Sequence, residues 1–106
     1  METVTVYHYS NSKFNQFDFS KCDGAWFTDI APEKKEMLNE IGAAGSKFVA
    51  KCEVSYSNEM INGSNSDVED QLNAEGADAI INIYEGFKDY AVANNSQVKI
   101  LGWTEL

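Results

Sequence analysis

The only histidine of the chain sits in Val6-Tyr7-His8-Tyr9-Ser10, where an apolar strand gives way to a turn, and the aromatic segment Gly24-Ala25-Trp26-Phe27-Thr28-Asp29 follows soon after. A strand end is a place from which a side chain can enter a cleft, and an imidazole there can bind a polar group or move a proton near neutral pH. The same position also suits a histidine that merely completes a core. Trp26 and Phe27 alternate faces, so at most one of them reaches a ligand while the other is the bulky inward residue that a small domain needs. Among the acids, Glu85 and Asp89 flank Gly86 in a turn, where carboxylates are ordinarily solvated, and Asp29 reads as a helix cap. One His with Cys22 and Cys52 is short of the ligands that a structural zinc site takes, so no metal is expected. The two thiols read as plain reduced residues.

These residues need elements to hold them. Val4, Val6 and His8 share one face of a strand over Thr3 to Tyr9, and Thr5, Tyr7 and Tyr9 share the other. Ser10 to Asp23 mixes Asn, Ser and Lys with Phe14, Phe17 and Phe19, the pattern of a loop pinned by aromatics and able to line a pocket. Ala25 to Thr28 is a second short strand, after which Asp29 and Pro32 signal a helix with Met37, Leu38 and Ile41 as its apolar stripe, ended by Gly42 and Gly45. Phe48, Ala50, Cys52, Val54 and Tyr56 alternate through the clearest strand, Lys47 to Tyr56. After a polar turn at Asn62-Gly63-Ser64-Asn65, the run Ser66-Asp67-Val68-Glu69 fits a capping box for a short acidic helix that carries Val68 and Leu72 and closes at Gly76. Strands over Ala79 to Tyr84, Asp89 to Ala93 and Gln97 to Leu101 follow, joined by turns at Glu85-Gly86-Phe87-Lys88 and Asn94-Asn95. This order predicts a single α+β domain over residues 1–106, with a mainly antiparallel sheet of about six strands and two short helices.

At 106 residues and 43% hydrophobic content the chain can build one core and not two. Its net charge of −9 is unevenly spread, since no Lys or Arg stands between Lys51 and Lys88, while Glu53, Glu59, Asp67, Glu69, Asp70, Glu75, Asp78 and Glu85 do. Such a half repels nucleic-acid phosphates, so direct nucleic-acid binding is not expected. It suits either an ordinary solubilising face or docking onto a basic partner. The apolar runs are short and the N-terminus lacks a basic region followed by an apolar stretch, which predicts a cytoplasmic protein that does not enter a membrane.

Taken together and in order, Tyr7-His8-Tyr9-Ser10, Phe14-Asn15-Gln16-Phe17-Asp18, Gly24 to Asp29, Gly76-Ala77-Asp78-Ala79-Ile80-Ile81, Tyr90-Ala91-Val92 and Gln97-Val98-Lys99-Ile100 resemble the small ADP-ribosyltransferase-like domains carried by phages and prophages. The resemblance spans nearly the whole chain and implies a split antiparallel sheet that grips NAD, as substrate, between its halves. It implies that His8 bonds a ribose hydroxyl, that Tyr9 and Ser10 beside it hold the nicotinamide amide through backbone groups, that Phe27 stacks on the nicotinamide and that Thr28 lines its pocket. It further implies a carboxylate near the nicotinamide ribose, because cleavage builds positive charge on the anomeric carbon and a fixed carboxylate in a dry cleft stabilises it. Family members usually place a Glu or an equivalent polar residue just before the strand that begins here at Tyr90; this chain has Asp89 there, with Glu85 one turn earlier. Asp is shorter by a methylene, Tyr9 stands where Gly is frequent, and Ser57-Asn58-Glu59 replaces an Asn-Pro-Leu type of sequence. The implied activity is mono-ADP-ribosyl transfer from NAD to a host protein. The alternative is a non-catalytic acidic inhibitor on the same fold that blocks a basic, nucleic-acid-binding surface of a host defence complex.

Overall fold

The computed structural model describes residues 1–19, 24–64 and 66–106. The alternation of Val4, Val6 and His8 forms β1 (Glu2–Ser10), which pairs along its whole length with β3 (Phe48–Tyr56), from Glu2↔Tyr56 to Ser10↔Phe48. On its other side β1 meets β2 (Ala25–Thr28) at a single register pair, Tyr7↔Thr28. The chain also forms α1 (Lys35–Glu40), β4 (Glu59–Ile61), α2 (Val68–Glu75), β5 (Ala79–Tyr84), β6 (Phe87–Val92), a 3-10 turn at Asn95–Gln97 and β7 (Val98–Glu105). The seven strands make one mixed sheet in the order β4-β5-β6-β2-β1-β3-β7.

The α+β class and the mainly antiparallel pairing hold, with differences of detail. The sheet has seven strands where about six were expected, because β4 is too short for alternation to register. β4 also runs parallel to β5, from Glu59↔Ala79 to Ile61↔Ile81, since α2 carries the chain back to start the next strand in the same direction. Asp29 does not cap α1, whose N-cap is Lys34 without a side-chain bond. Asp29 Oδ1 instead accepts the Lys88 N–H at 3.0 Å, and its own N–H donates to the Lys88 carbonyl at 3.1 Å, tying the exit of β2 to β6. At α2 the N-cap is Asp67, in a left-handed conformation (φ 55°) and without a side-chain cap bond. The Cys22 thiol and the Asn65 part of the polar turn lie outside the described residues.

Strand alternation sends Val6, Phe27, Ala50, Cys52, Val54, Ile81, Tyr90 and Val92 to one sheet face, where Phe14 and Phe17 of the segment after β1 cover them. That segment is tied down by the Trp103 indole, which donates to the Phe14 carbonyl at 2.9 Å, and by the Asn95 amide, which donates to the Phe17 carbonyl at 2.7 Å. On the opposite face, Val68 and Leu72 of α2 cover Ile80, Ala91 and Trp26, while Leu38 of α1 joins Ile30, Ala43, Tyr9 and Phe87. Gly24 permits the α2 contact: its φ is +89°, and a Cβ there would lie 2.7 Å from Val68 Cγ1. Among the described residues no helix is long and apolar enough to cross a membrane.

Candidate active site

Beyond Tyr7↔Thr28 the β1–β2 ladder stops. Continued register would set Tyr9 opposite Trp26, but the Trp26 carbonyl accepts the Nδ1–H of His8 instead, at 2.8 Å. An imidazole thus takes the place of a backbone donor, and the strands part around a cavity of about 260 Å³ lined by Tyr7, His8, Tyr9, Trp26, Phe27, Thr28 and Asp89, with Ile41, Gly42, Ala43 and Ser46 on its far side.

A carbonyl only accepts, so His8 Nδ1 carries the proton and the neutral ring leaves Nε2 as an acceptor. Burial pushes the His8 pKa below its ordinary value, and the Trp26 bond opposes that shift only in part, so the ring is neutral at pH 7. Its plane is fixed by Phe14, Phe17 and Phe27, at centroid separations of 5.9, 4.9 and 5.6 Å.

Asp89 has two cross-strand partners, Thr28 on β2 and Asn82 on β5. Burial raises its pKa; a hydrogen bond from the Thr28 side chain pulls it back in part, and the nearby charge of Asp29 raises it further. The Thr28 hydroxyl accepts the Ile30 N–H at 3.2 Å and lies 3.5 Å from the Lys88 carbonyl. The bond to Lys88 is long for an O–H donor, and the same hydroxyl is within reach of the Asp89 carboxylate, whose pKa it lowers.

The cavity brings together His8, Tyr9, Phe27, Thr28 and Asp89 of the residues singled out in the sequence, and leaves Ser10 and Glu85 outside. The Ser10 hydroxyl accepts the Ser12 N–H at 3.2 Å and closes the strand end, while Glu85 is exposed at the tip of the β5–β6 hairpin. The Tyr9 hydroxyl donates to the Ile30 carbonyl at 2.7 Å, and burial, reinforced by Tyr7 and Glu33, pushes it up to about 12, so it remains a protonated anchor. Phe27 is 2% exposed, its ring against His8 and Phe17, so it forms a wall and presents no open stacking face. Cys52 is buried, and burial pushes its thiol up to about 11, which makes it a poor nucleophile.

Sequence reasoning missed Tyr7 and the Ile41 to Ser46 turn. The local signals for that turn were Gly42 and Gly45, of which Gly42, with a φ of +73°, ends α1. On the other side of His8 lies an aromatic groove of about 790 Å³ that shares His8 and Trp26 with the cavity and adds Phe14, Phe17 and Asp18. Ligand pockets ordinarily run from about 300 to 1,000 Å³. At about 260 Å³ the cleft alone is below that range, and the groove falls within it. The polar groups that line the cavity include the Thr28 hydroxyl and the Asp89 carboxylate, with His8 at the gap between the strands. The chain's cations are all lysines, and among the described residues none lines either depression. Among the described residues no three His, Cys, Asp or Glu side chains are grouped to hold a metal ion. In comparisons with known proteins, no family model and no curated protein matches this chain.

Proposed function

We propose that this protein is an NAD-dependent mono-ADP-ribosyltransferase of the phage or prophage kind, acting on a host protein in the host cytoplasm. The observation that supports this reading is a cavity at the point where β1 and β2 part, lined by the only histidine and by the half-buried Asp89, with the His8 ring turned to the phenylalanine face of the sheet and Asp89 to the face of Thr28 and Tyr7. When bound, NAD supplies a ribose carbon that gains positive charge as its bond to nicotinamide weakens. Asp89 stabilises that charge as a half-buried carboxylate, and the Thr28 hydroxyl holds the carboxylate in place. His8 orients the ribose by accepting from a hydroxyl at Nε2, its ring held by Trp26 and the three phenylalanines. Tyr9 fixes the cavity's rim through Ile30.

The test is release of nicotinamide from NAD by the purified protein, with water as the default acceptor. Release that Asp89→Asn reduces about 100-fold or more, the scale of one positioned acid–base group, supports the reading. Absence of release together with absence of NAD binding refutes it.

A second reading, the acidic inhibitor, is favoured by one observation: Glu59, Asp67, Asp70, Glu75 and Glu85 are all exposed on a stretch that holds no Lys or Arg. A blocker of a basic surface loses affinity steeply as salt rises, whereas a transferase needs only brief contact with its target.

A further inference from the structure

Asn82 is 5% exposed, and its Oδ1 is the buried side-chain oxygen without a hydrogen-bond partner among the described residues. Buried polar atoms are almost always paired, so one left unpaired points to a role that the resting protein does not display. The strand argues the same way. Ala79, Ile80 and Ile81 precede Asn82, all buried, and an apolar side chain at that position would extend the core without difficulty.

Its place in the sheet indicates the role. Asn82, Asp89, Thr28 and Tyr7 are successive partners across β5, β6, β2 and β1, and Asn82 and Asp89 are directly opposed. Directly opposed residues on one sheet face have Cβ atoms about 4.5–5.5 Å apart, close enough for their side chains to bond. Asp89 thus stands between two polar neighbours of opposite character. Thr28 donates to the ionised carboxylate. An amide oxygen cannot donate to that form, but it can accept from a protonated carboxyl.

We infer that Asn82 is a positioning residue for Asp89, whose side-chain oxygen accepts the hydrogen bond of the protonated carboxyl after Asp89 has taken a proton from the group being modified. The inference rests on the transferase reading. In that reaction the acceptor's lone pair forms the new bond to the ribose carbon, and the electrons of the broken carbon–nitrogen bond leave with neutral nicotinamide. The proton that the acceptor gives up passes to Asp89 and then to solvent. Thr28 favours the carboxylate before transfer, and Asn82 favours the acid after it. The charged and titratable groups around this pair are Asp29 past the end of β2, Lys88 on the same strand as Asp89, and Tyr7, His8 and Tyr9 on β1. None of these is placed opposite Asp89 in the β5–β6 ladder, where Asn82 stands.

The test is an NMR titration of the free, full-length protein that follows the side-chain carboxyl carbon of Asp89 and the amide carbon of Asn82 from neutral to acid pH. Both signals are expected to move with one midpoint, and Asp89→Asn is expected to flatten the Asn82 transition. An Asn82 signal that stays flat through the Asp89 transition overturns the inference. In a second arm, Asn82→Leu is expected to keep or raise the melting temperature while nicotinamide release falls about 100-fold, the scale of a misplaced reacting group, with a shifted pH–rate profile. A variant equally stable and fully active, with an unchanged profile, overturns it as well. If the two carbons titrate together but the protein neither binds nor cleaves NAD, the pairing stands and the transferase reading falls.

Discussion

Phe17→Ala removes the centre of the wall that holds His8. The Phe17 ring is 6% exposed and meets four others, at 4.9 Å from His8, 4.8 Å from Phe14, 5.2 Å from Phe27 and 6.1 Å from Phe19. Truncating a core phenylalanine ordinarily costs about 3–5 kcal/mol. Phe17 lies on a segment outside regular secondary structure, which can relax into part of the void, so the lower end of about 3 kcal/mol applies here. The Asn95 bond to the Phe17 carbonyl survives the substitution and keeps the backbone in place. Domains of this size are stable by about 5–15 kcal/mol, and each kcal/mol moves the melting temperature by about 4–8 °C. The variant should therefore melt about 12–24 °C lower. Urea unfolding should give a lower midpoint with an unchanged slope, because the surface exposed on unfolding barely changes. A loss under about 1 kcal/mol, the size of an ordinary surface change, would refute the claim that this segment seals the sheet face and fixes the imidazole.

Three further outcomes follow from the same structure. Burial holds the Asp89 pKa up in the fold, so the folded state favours the protonated acid; this stability is fully present below the unfolded pKa and is lost as pH rises through the folded one. Asp89→Asn, which stays neutral, should therefore be more stable than the native protein at neutral pH and gain nothing in acid, as thermal melts across pH will read. His8 behaves in the opposite sense: its lowered pKa penalises the charged ring, so the native protein loses stability as pH falls through the ordinary histidine value of about 6.5. His8→Gln should flatten that part of the stability–pH curve. Gly24→Ala should cost about 2–4 kcal/mol by chemical denaturation, from a left-handed φ and a Cβ driven into Val68.

The long strands were legible because alternation over nine residues in β1 and β3 leaves one way to bury Val6, Cys52 and Val54. β4 was not, because three residues carry no period and its parallel pairing follows from the α2 crossover. Asp29 and Pro32 read as a helix start, yet the helix forms later, because the Asp29 carboxylate is engaged by the Lys88 N–H across the sheet. At the candidate site, His8 and Asp89 were both legible, but the resemblance that pointed to Asp89 left Glu85, one turn earlier, as a second candidate carboxylate. The hairpin separates them: Asp89 is in the ladder opposite Thr28, and Glu85 is at the exposed tip. Asn82 showed only as a break in an apolar run. Its meaning depends on which residue stands opposite it, and that is a property of pairing and not of local sequence.

The central claim is that the parted β1–β2 edge is an NAD site, and an amide NMR titration of the purified protein with NAD tests it most directly, since it detects even millimolar binding. The account predicts saturable shifts clustered at Tyr7 to Tyr9, Trp26 to Thr28 and Asp89, lost in His8→Ala while the rest of the spectrum stays native. Shifts absent at several millimolar NAD, or scattered away from this cleft, would contradict it.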